Sequence, residues 1–177
     1  KDLGCVNDER CGNAVFSTFI GSFYPAIYDN KIVWADNRNG NFDIYMYDLT
    51  TKKETQITND INSQVYPAIY NDKIVWEDHR NGKENYDIYM YDLTKNKERQ
   101  ITNDPNYKPS PAIHDNKIVW FDPRSGNHDI YMYDLTKNEE RQITNNLEGQ
   151  YDPQIYGNKI VWTDDRNGNP DIYMYDL

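Results

Sequence analysis

Cysteine is nearly missing from this chain of 177 residues: Cys5 and Cys11 are the only two, and both precede the first repeated segment. A disulfide-built core is therefore excluded, and so is a zinc site in that leader, which has no third or fourth Cys or His. We expect a short bridge between Cys5 and Cys11, as suits an exported protein; two free thiols in an exposed tail is the alternative. Long apolar runs are missing too. No stretch approaches the ~18 apolar residues that span a bilayer, so membrane insertion is not expected. Helical periodicity of useful length occurs nowhere, which excludes a helical solenoid. Basic residues are scarce, 19 Lys and Arg against 29 Asp and Glu, for a net charge of −10. That balance argues against nucleic acid and against anionic membrane surfaces as partners. There are three histidines, His79, His114 and His128, at unrelated points of their repeats, and no serine sits in a G-x-S-x-G elbow. No N-x-[ST] sequon is present, so ordinary N-glycosylation is not expected, while O-linked sugar on the many hydroxyls stays open.

What is present is repetition. The phrase KIVW ends at Trp34, Trp76, Trp120 and Trp162, at spacings of 42, 44 and 42 residues. Each copy leads through an Arg–(Asn or Ser)–Gly turn into DIYMYDL, at Asp43 to Leu49, Asp87 to Leu93, Asp129 to Leu135 and Asp171 to Leu177. Self-similarity at about 40–45 residues with several short strands per unit is the pattern of a β-propeller blade. In the first copy, Tyr24 to Tyr28 is a short apolar run with Pro near its start, where a missing N–H matters least. Lys31 to Trp34 is apolar on successive residues, as a strand covered on both faces should be. Asn39-Gly40 tolerates the positive φ of a tight hairpin. Asp43 to Leu49 is the third strand, and the polar Glu54 to Thr58 reads as an outermost strand with one edge in water.

The fourth repeat stops at Leu177 without an outer strand, while Ala14-Val15-Phe16 falls in register with Gln56-Ile57-Thr58. The expected fold is thus all-β: a four-bladed propeller of four-stranded antiparallel blades, closed by the N-terminal strand completing the last one. A Cys-containing leader spans 1–12, and a single domain spans 13–177, with blades at 24–65, 66–109, 110–151, and 152–177 plus 13–17. The alternative is that the strand enters a neighbouring copy and chains subunits together.

The recurrent pattern P-x-I-x-x-x-K-I-V-W-x-D-x-R-x-G-N-x-D-I-Y-x-Y-D-L followed by R-Q-I-T resembles the TolB-type β-propeller repeats of bacterial and archaeal periplasmic and cell-surface proteins. The resemblance runs from Tyr24 to Leu177. It implies an exported, non-catalytic binding or scaffold module in the extracellular space, on the cell surface or in the periplasm. This chain shows four repeats and no second domain, so TolB's own partner-binding residues are not carried over, and fold alone does not give function.

Two constellations bear on chemistry. The first is the hairpin set Asp36/Arg38, Asp78/Arg80, Asp122/Arg124 and Asp164/Arg166. A calcium loop would need oxygen ligands at alternate positions, but every copy places an Arg there, so no metal or other cofactor is assigned to it and calcium is kept as the minor alternative. The structural reading has the Arg pair with an Asp and with carbonyls, fixing the turn and the contact between blades. The second is the set of loops that differ between copies: the connections Asn59 to Val65, Asn103 to Pro109 and Asn145 to Tyr151, and the second hairpin of each repeat. Both emerge on one face of a propeller, and variation gathered on a constant scaffold marks a binding face. We therefore expect a protein or glycan partner, or further copies of the chain, to meet Phe42, Asn62, Gln64, Tyr86, Tyr107, Lys108, His128, Glu148 and Gln150. Lys52, Lys53, Lys95, Lys97 and Lys137 fall on the opposite face. Self-assembly into a fibre or surface layer is the second expectation and a hydrolase-type propeller the third.

Overall fold

The computed structural model describes residues 21–82 and 84–177. Cys5, Cys11 and the strand expected at Asn13 to Ser17 lie outside the described residues. Among the described residues there are fifteen strands and no helix. The first sheet is β1 (Ser22–Tyr28), β2 (Lys31–Asp36), β3 (Asp43–Asp48) and β4 (Lys53–Gln56); the second is β5 (Gln64–Tyr70), β6 (Lys73–Asp78), β7 (Asp87–Asp92) and β8 (Lys97–Gln100). The third is β9 (Ala112–His114), β10 (Lys117–Asp122), β11 (Asp129–Asp134) and β12 (Glu139–Gln142); the fourth is β13 (Gln150–Tyr156), β14 (Lys159–Asp164) and β15 (Asp171–Asp176). Within each sheet the strands are antiparallel and ordered as in the sequence, so each repeat folds on itself as a meander.

Register follows the repeated words. Trp34 pairs with Tyr45, Trp76 with Tyr89, Trp120 with Tyr131 and Trp162 with Tyr173. All four tryptophans are buried, as the apolar doublets of the second strand require. The outer strand is shorter than its sequence suggests because Thr58 leaves the ladder. Its hydroxyl accepts the Ile44 N–H at 2.8 Å and donates to the Asp43 carboxylate at 3.3 Å. Thr102 and Thr144 do the same for Ile88/Asp87 and Ile130/Asp129. One feature escaped the sequence pattern. Tyr24-Pro25 opposes the single residue Trp34, a β-bulge, and Tyr24 has φ 54°. Tyr66, Ser110 and Asp152, each also followed by Pro, take the same left-handed conformation, which is costly for residues with a side chain. The proline suits the bulge because its missing N–H falls where the ladder is interrupted.

The core lies between blades rather than within them. Val33, Ala35, Ile44 and Met46 of the first blade pack on Val65, Ile69, Ile74 and Trp76 of the second. Val75, Ile88 and Met90 meet Ile113, Ile118 and Trp120. Ala112, Val119, Ile130 and Met132 meet Ile160 and Trp162. Three seams are thus formed by the same residue types in the same positions. The fourth, which would join the last blade to the first, is not formed among the described residues. No sheet pairing links them, Ile172 is 75% exposed and Met174 56%, and Ile27 of β1 is exposed as well.

Candidate functional site

The second hairpin of each blade is locked from inside. Asp36 accepts the Arg38 backbone N–H at 2.9 Å and the Trp34 indole N–H at 3.2 Å, and pairs with the Arg38 guanidinium at 2.5 Å. The guanidinium lies 4.2 Å from the centre of the Tyr45 ring and reaches Glu54 on the outer strand at 2.6 Å. Arg80 and Arg124 repeat this with Asp78 and Glu98, and with Asp122 and Glu140. Arg166 pairs with Asp164 at 2.5 Å and covers Tyr173. Burial alone would raise the Asp36 carboxyl, but the Arg38 side chain and backbone, with Trp34 and Ser22, bring it down to about 2. The hydrogen bond from Arg166 likewise lowers Asp164. The guanidinium fills the place that a loop cation would take. The expectation that these arginines also join blades holds at one seam: Arg38, Arg80 and Arg166 pair within their own blade, with Glu54 and Glu98 of the outer strands taking the free end of the first two. Arg124 alone among the four also reaches a neighbouring connection, with Asp104 at 2.9 Å.

The variable loops gather at one end of the sheets and are laced together by side-chain amides. Asn41 Nδ2 donates to the Asp60 and Asn62 carbonyls, both at 2.8 Å, and Asn127 Nδ2 to those of Asn146 at 2.6 Å and Glu148 at 3.1 Å. Each connection thereby docks on the hairpin of the blade before it. Aromatic groups stand at these seams. Phe42 packs edge-on against Phe23 at 5.6 Å, and Tyr86 stacks on His79 at 3.9 Å. His128 is hydrogen-bonded to the Tyr107 hydroxyl at 2.6 Å and packs against Phe121 and Tyr151. These four expected residues are half-buried, and Asn62 and Glu148 are exposed. Gln64, Lys108 and Gln150 are not available to a partner: all three are fully buried under the connections. The polar character of their loops hides this in the sequence: Gln64 and Gln150 begin strands that the connection folds over, and Lys108 holds the same place in the connection before β9.

Two residues that the sequence reading passed over stand out from the same face. Ile61 is 89% and Leu147 93% exposed, and they occupy the same position of the first and third connections, which Pro105 holds in the one between. An apolar residue in register within otherwise polar loops was the signal available. Ile61 also lines a shallow hollow of about 320 Å³ with Asn62, Ser63, His79, Gly82 and Tyr86. The opposite end differs. There the inner strands finish in a row of rings, Tyr28 to Tyr70 at 4.6 Å, Tyr70 to His114 at 4.3 Å and His114 to Tyr156 at 4.7 Å. Lys52, Lys53, Lys95, Lys97 and Lys137 are all exposed.

The histidines are engaged with local partners: His79 with Glu77 at 2.7 Å, His114 with Asp115 at 3.5 Å, and His128 with Tyr107. Among the described residues no group of three or more His, Cys, Asp and Glu is arranged to hold a metal ion.

No protein-family model matches the chain. No curated protein matches it either. Solved structures do. TolB from Acinetobacter baumannii superposes with a TM-score of 0.75 at 21% identity, over 92% of this chain and 42% of that one. The putative TolB from Agrobacterium tumefaciens gives 0.70 at 16% identity, over 84% of this chain and 58% of its own. The β-propeller domain of the Trilobed protease from Pyrococcus furiosus, described as having an open velcro topology, gives 0.66 at 16% identity over 92% and 56%. The chain therefore spans about half the length of the propellers it matches. At these identities the likeness is one of fold, and the fold is that of a TolB-like β-propeller.

Proposed function

We propose that this chain is a non-catalytic binding propeller of the cell envelope or exterior that takes a protein or glycan partner on its connection-loop face. The observation that carries the reading is the pair Ile61 and Leu147, apolar tips held in full solvent beside half-buried aromatic rings. Exposed apolar side chains rimmed by polar loops are what an interaction surface presents. The resemblance to TolB supports export and supports binding rather than catalysis. The test is capture of cell-surface proteins and glycans by the natural chain and by an I61D/L147D double variant of equal thermal stability. We expect the variant to retain at least about tenfold less, the loss of about 1.4 kcal/mol that each tenfold represents. Equal retention overturns the loop-face reading.

A second reading, self-assembly, is favoured by a separate observation. The open face of the last blade carries Val161, Ile172 and Met174, and that of the first carries Ile27 and Ile32. These are the residue types that interlock in each formed seam. Such complementary, non-identical faces build closed rings or open filaments. Mass in solution decides: a concentration-dependent rise that Met174→Asp suppresses supports assembly through these faces, and a constant monomer mass removes it.

A further inference from the structure

The strained residues of the four bulges open a space that the seams do not use. Tyr24, Tyr66 and Asp152 are third in their inner strands, and Ser110 holds the same place just ahead of β9. Just past them comes a layer of small side chains. Ala26, Ala68 and Ala112 oppose Val33, Val75 and Val119 in the ladder, and Gln154 opposes Val161. Between these strands lies a hollow of about 280 Å³, with Tyr24 and Tyr66 in its wall, the three alanines giving it depth, and Ser110 and Gln154 supplying polar groups. Larger side chains at the alanine positions would fill it, as a packed interior requires. Two residues further on, the ring row of Tyr28, Tyr70, His114 and Tyr156 stands across the same four strands as a floor. The result is a cup that opens at the end where the connections enter.

Its four quarters are not alike. The first two blades present aromatic rings. Tyr24 and Tyr66 are both exposed, and their centroids lie 4.1 Å apart at 35°, so they form one continuous wall. The last two blades present hydrogen-bonding groups. The Ser110 hydroxyl and the Gln154 amide make no hydrogen bond among the described residues, and Gln154 breaks a position that is alanine in every other blade. No charged residue lines the cup among the described residues, in a chain of net charge −10. An anion would find no cation there. A quaternary ammonium needs rings on several sides, whereas these two rings pack on each other. A wholly apolar ligand would leave the hydroxyl and the amide unsatisfied. The class that remains is neutral, with one C–H face for the rings and hydroxyls for the opposite wall. A pyranose has that form, and the cup is of a size for one such ring rather than for the larger ligands that occupy ~300–1,000 Å³.

We propose that this cup binds the terminal pyranose of a neutral glycan, stacked on Tyr24 and Tyr66 and hydrogen-bonded to Ser110 and Gln154. The floor of rings selects a chain end, because a glycan cannot thread past it. The electron-rich ring faces attract the C–H groups of the sugar, and the amide and hydroxyl fix which hydroxyls point at them. The cup shares no residue with the Ile61 and Leu147 surface, so either can fail without the other.

The test is saturation-transfer NMR of the full chain with the methyl glycosides of glucose, galactose, mannose and N-acetylglucosamine, followed by titration of those that respond. We expect at least one to bind, with enhancement concentrated on the C–H groups of one ring face. Ala68→Leu keeps every polar group but fills the cup, and it should abolish the response. Tyr66→Ala should weaken binding at least about tenfold and Gln154→Ala at least about threefold, as loss of a stacking ring and of a hydrogen bond require. The I61D/L147D variant should bind as the natural chain does. Silence from all four glycosides overturns the proposal, as does a response that survives Ala68→Leu. Unchanged affinity in Gln154→Ala also overturns it, and because Gln154 is exposed this arm decides even if the other variants fail to fold.

Discussion

The segment DIYMYD occurs four times without change, and its copies live in two environments. In β7 and β11 the apolar side chains are buried against the following blade, whereas in β15 the same side chains meet water. Ile88 is fully buried and Ile172 is 75% exposed, although both pair with the fifth residue of the preceding strand, Glu77 and Thr163. Pairing with the preceding strand is equally regular in both, although β7 also pairs with β8 and β15 is the edge of its sheet among the described residues. The neighbour, and nothing in the segment itself, sets the burial. Stability in such a chain is a sum of intrinsic blade terms and nearest-neighbour seam terms, and the last blade has one seam term fewer.

The sharpest way to break this comparison is to truncate the same residue in both places. Ile88→Ala should destabilise by roughly 2–5 kcal/mol, as buried large-to-small changes do. Ile172→Ala should stay within about 0.5 kcal/mol, the range of exposed substitutions. Denaturant unfolding of both variants measures the difference, and equal losses would mean that the face of the last blade is covered in solution. A smaller effect tests what the two regions share. Because the Asp–Arg lock lies inside each blade, Asp36 and Asp164 should both titrate below the ordinary 3.8, whatever the state of the seams. A carboxyl lowered by folding adds stability that is complete above its unfolded value and is lost as pH falls through its folded one. For Asp36 that window runs from about 4 down to about 2. Carboxyl titration by NMR reads both residues, and an ordinary value at Asp164 alone would tie the lock to the seam.

Much of the blade was legible in the sequence because its strands are written in fixed words. KIVW and DIYMYDL give the Trp34–Tyr45 register, and the polar fourth strand gives the outer edge. The bulge at Tyr24-Pro25 was not legible, since a proline marks a break in the ladder without fixing the φ of the residue before it. Nor was the burial of Gln64, Lys108 and Gln150, because polarity in a loop ordinarily means exposure and here the connection folds back over its own last residues. Ile61 and Leu147 were readable as apolar residues in polar surroundings, but only alignment of the connections by period shows that they share one position. The open faces could not be read at all: identical words carry no information about which copy lacks a neighbour.

Every strand pairing among the described residues joins strands adjacent in sequence. This has a kinetic consequence. No distant segments need to find one another before a blade can form, so the entropy of closing long loops does not enter the rate-limiting search. Each blade can nucleate from its own few dozen residues and then template the next across a shared seam, so that the chain folds as it emerges, in the manner of a linear repeat array.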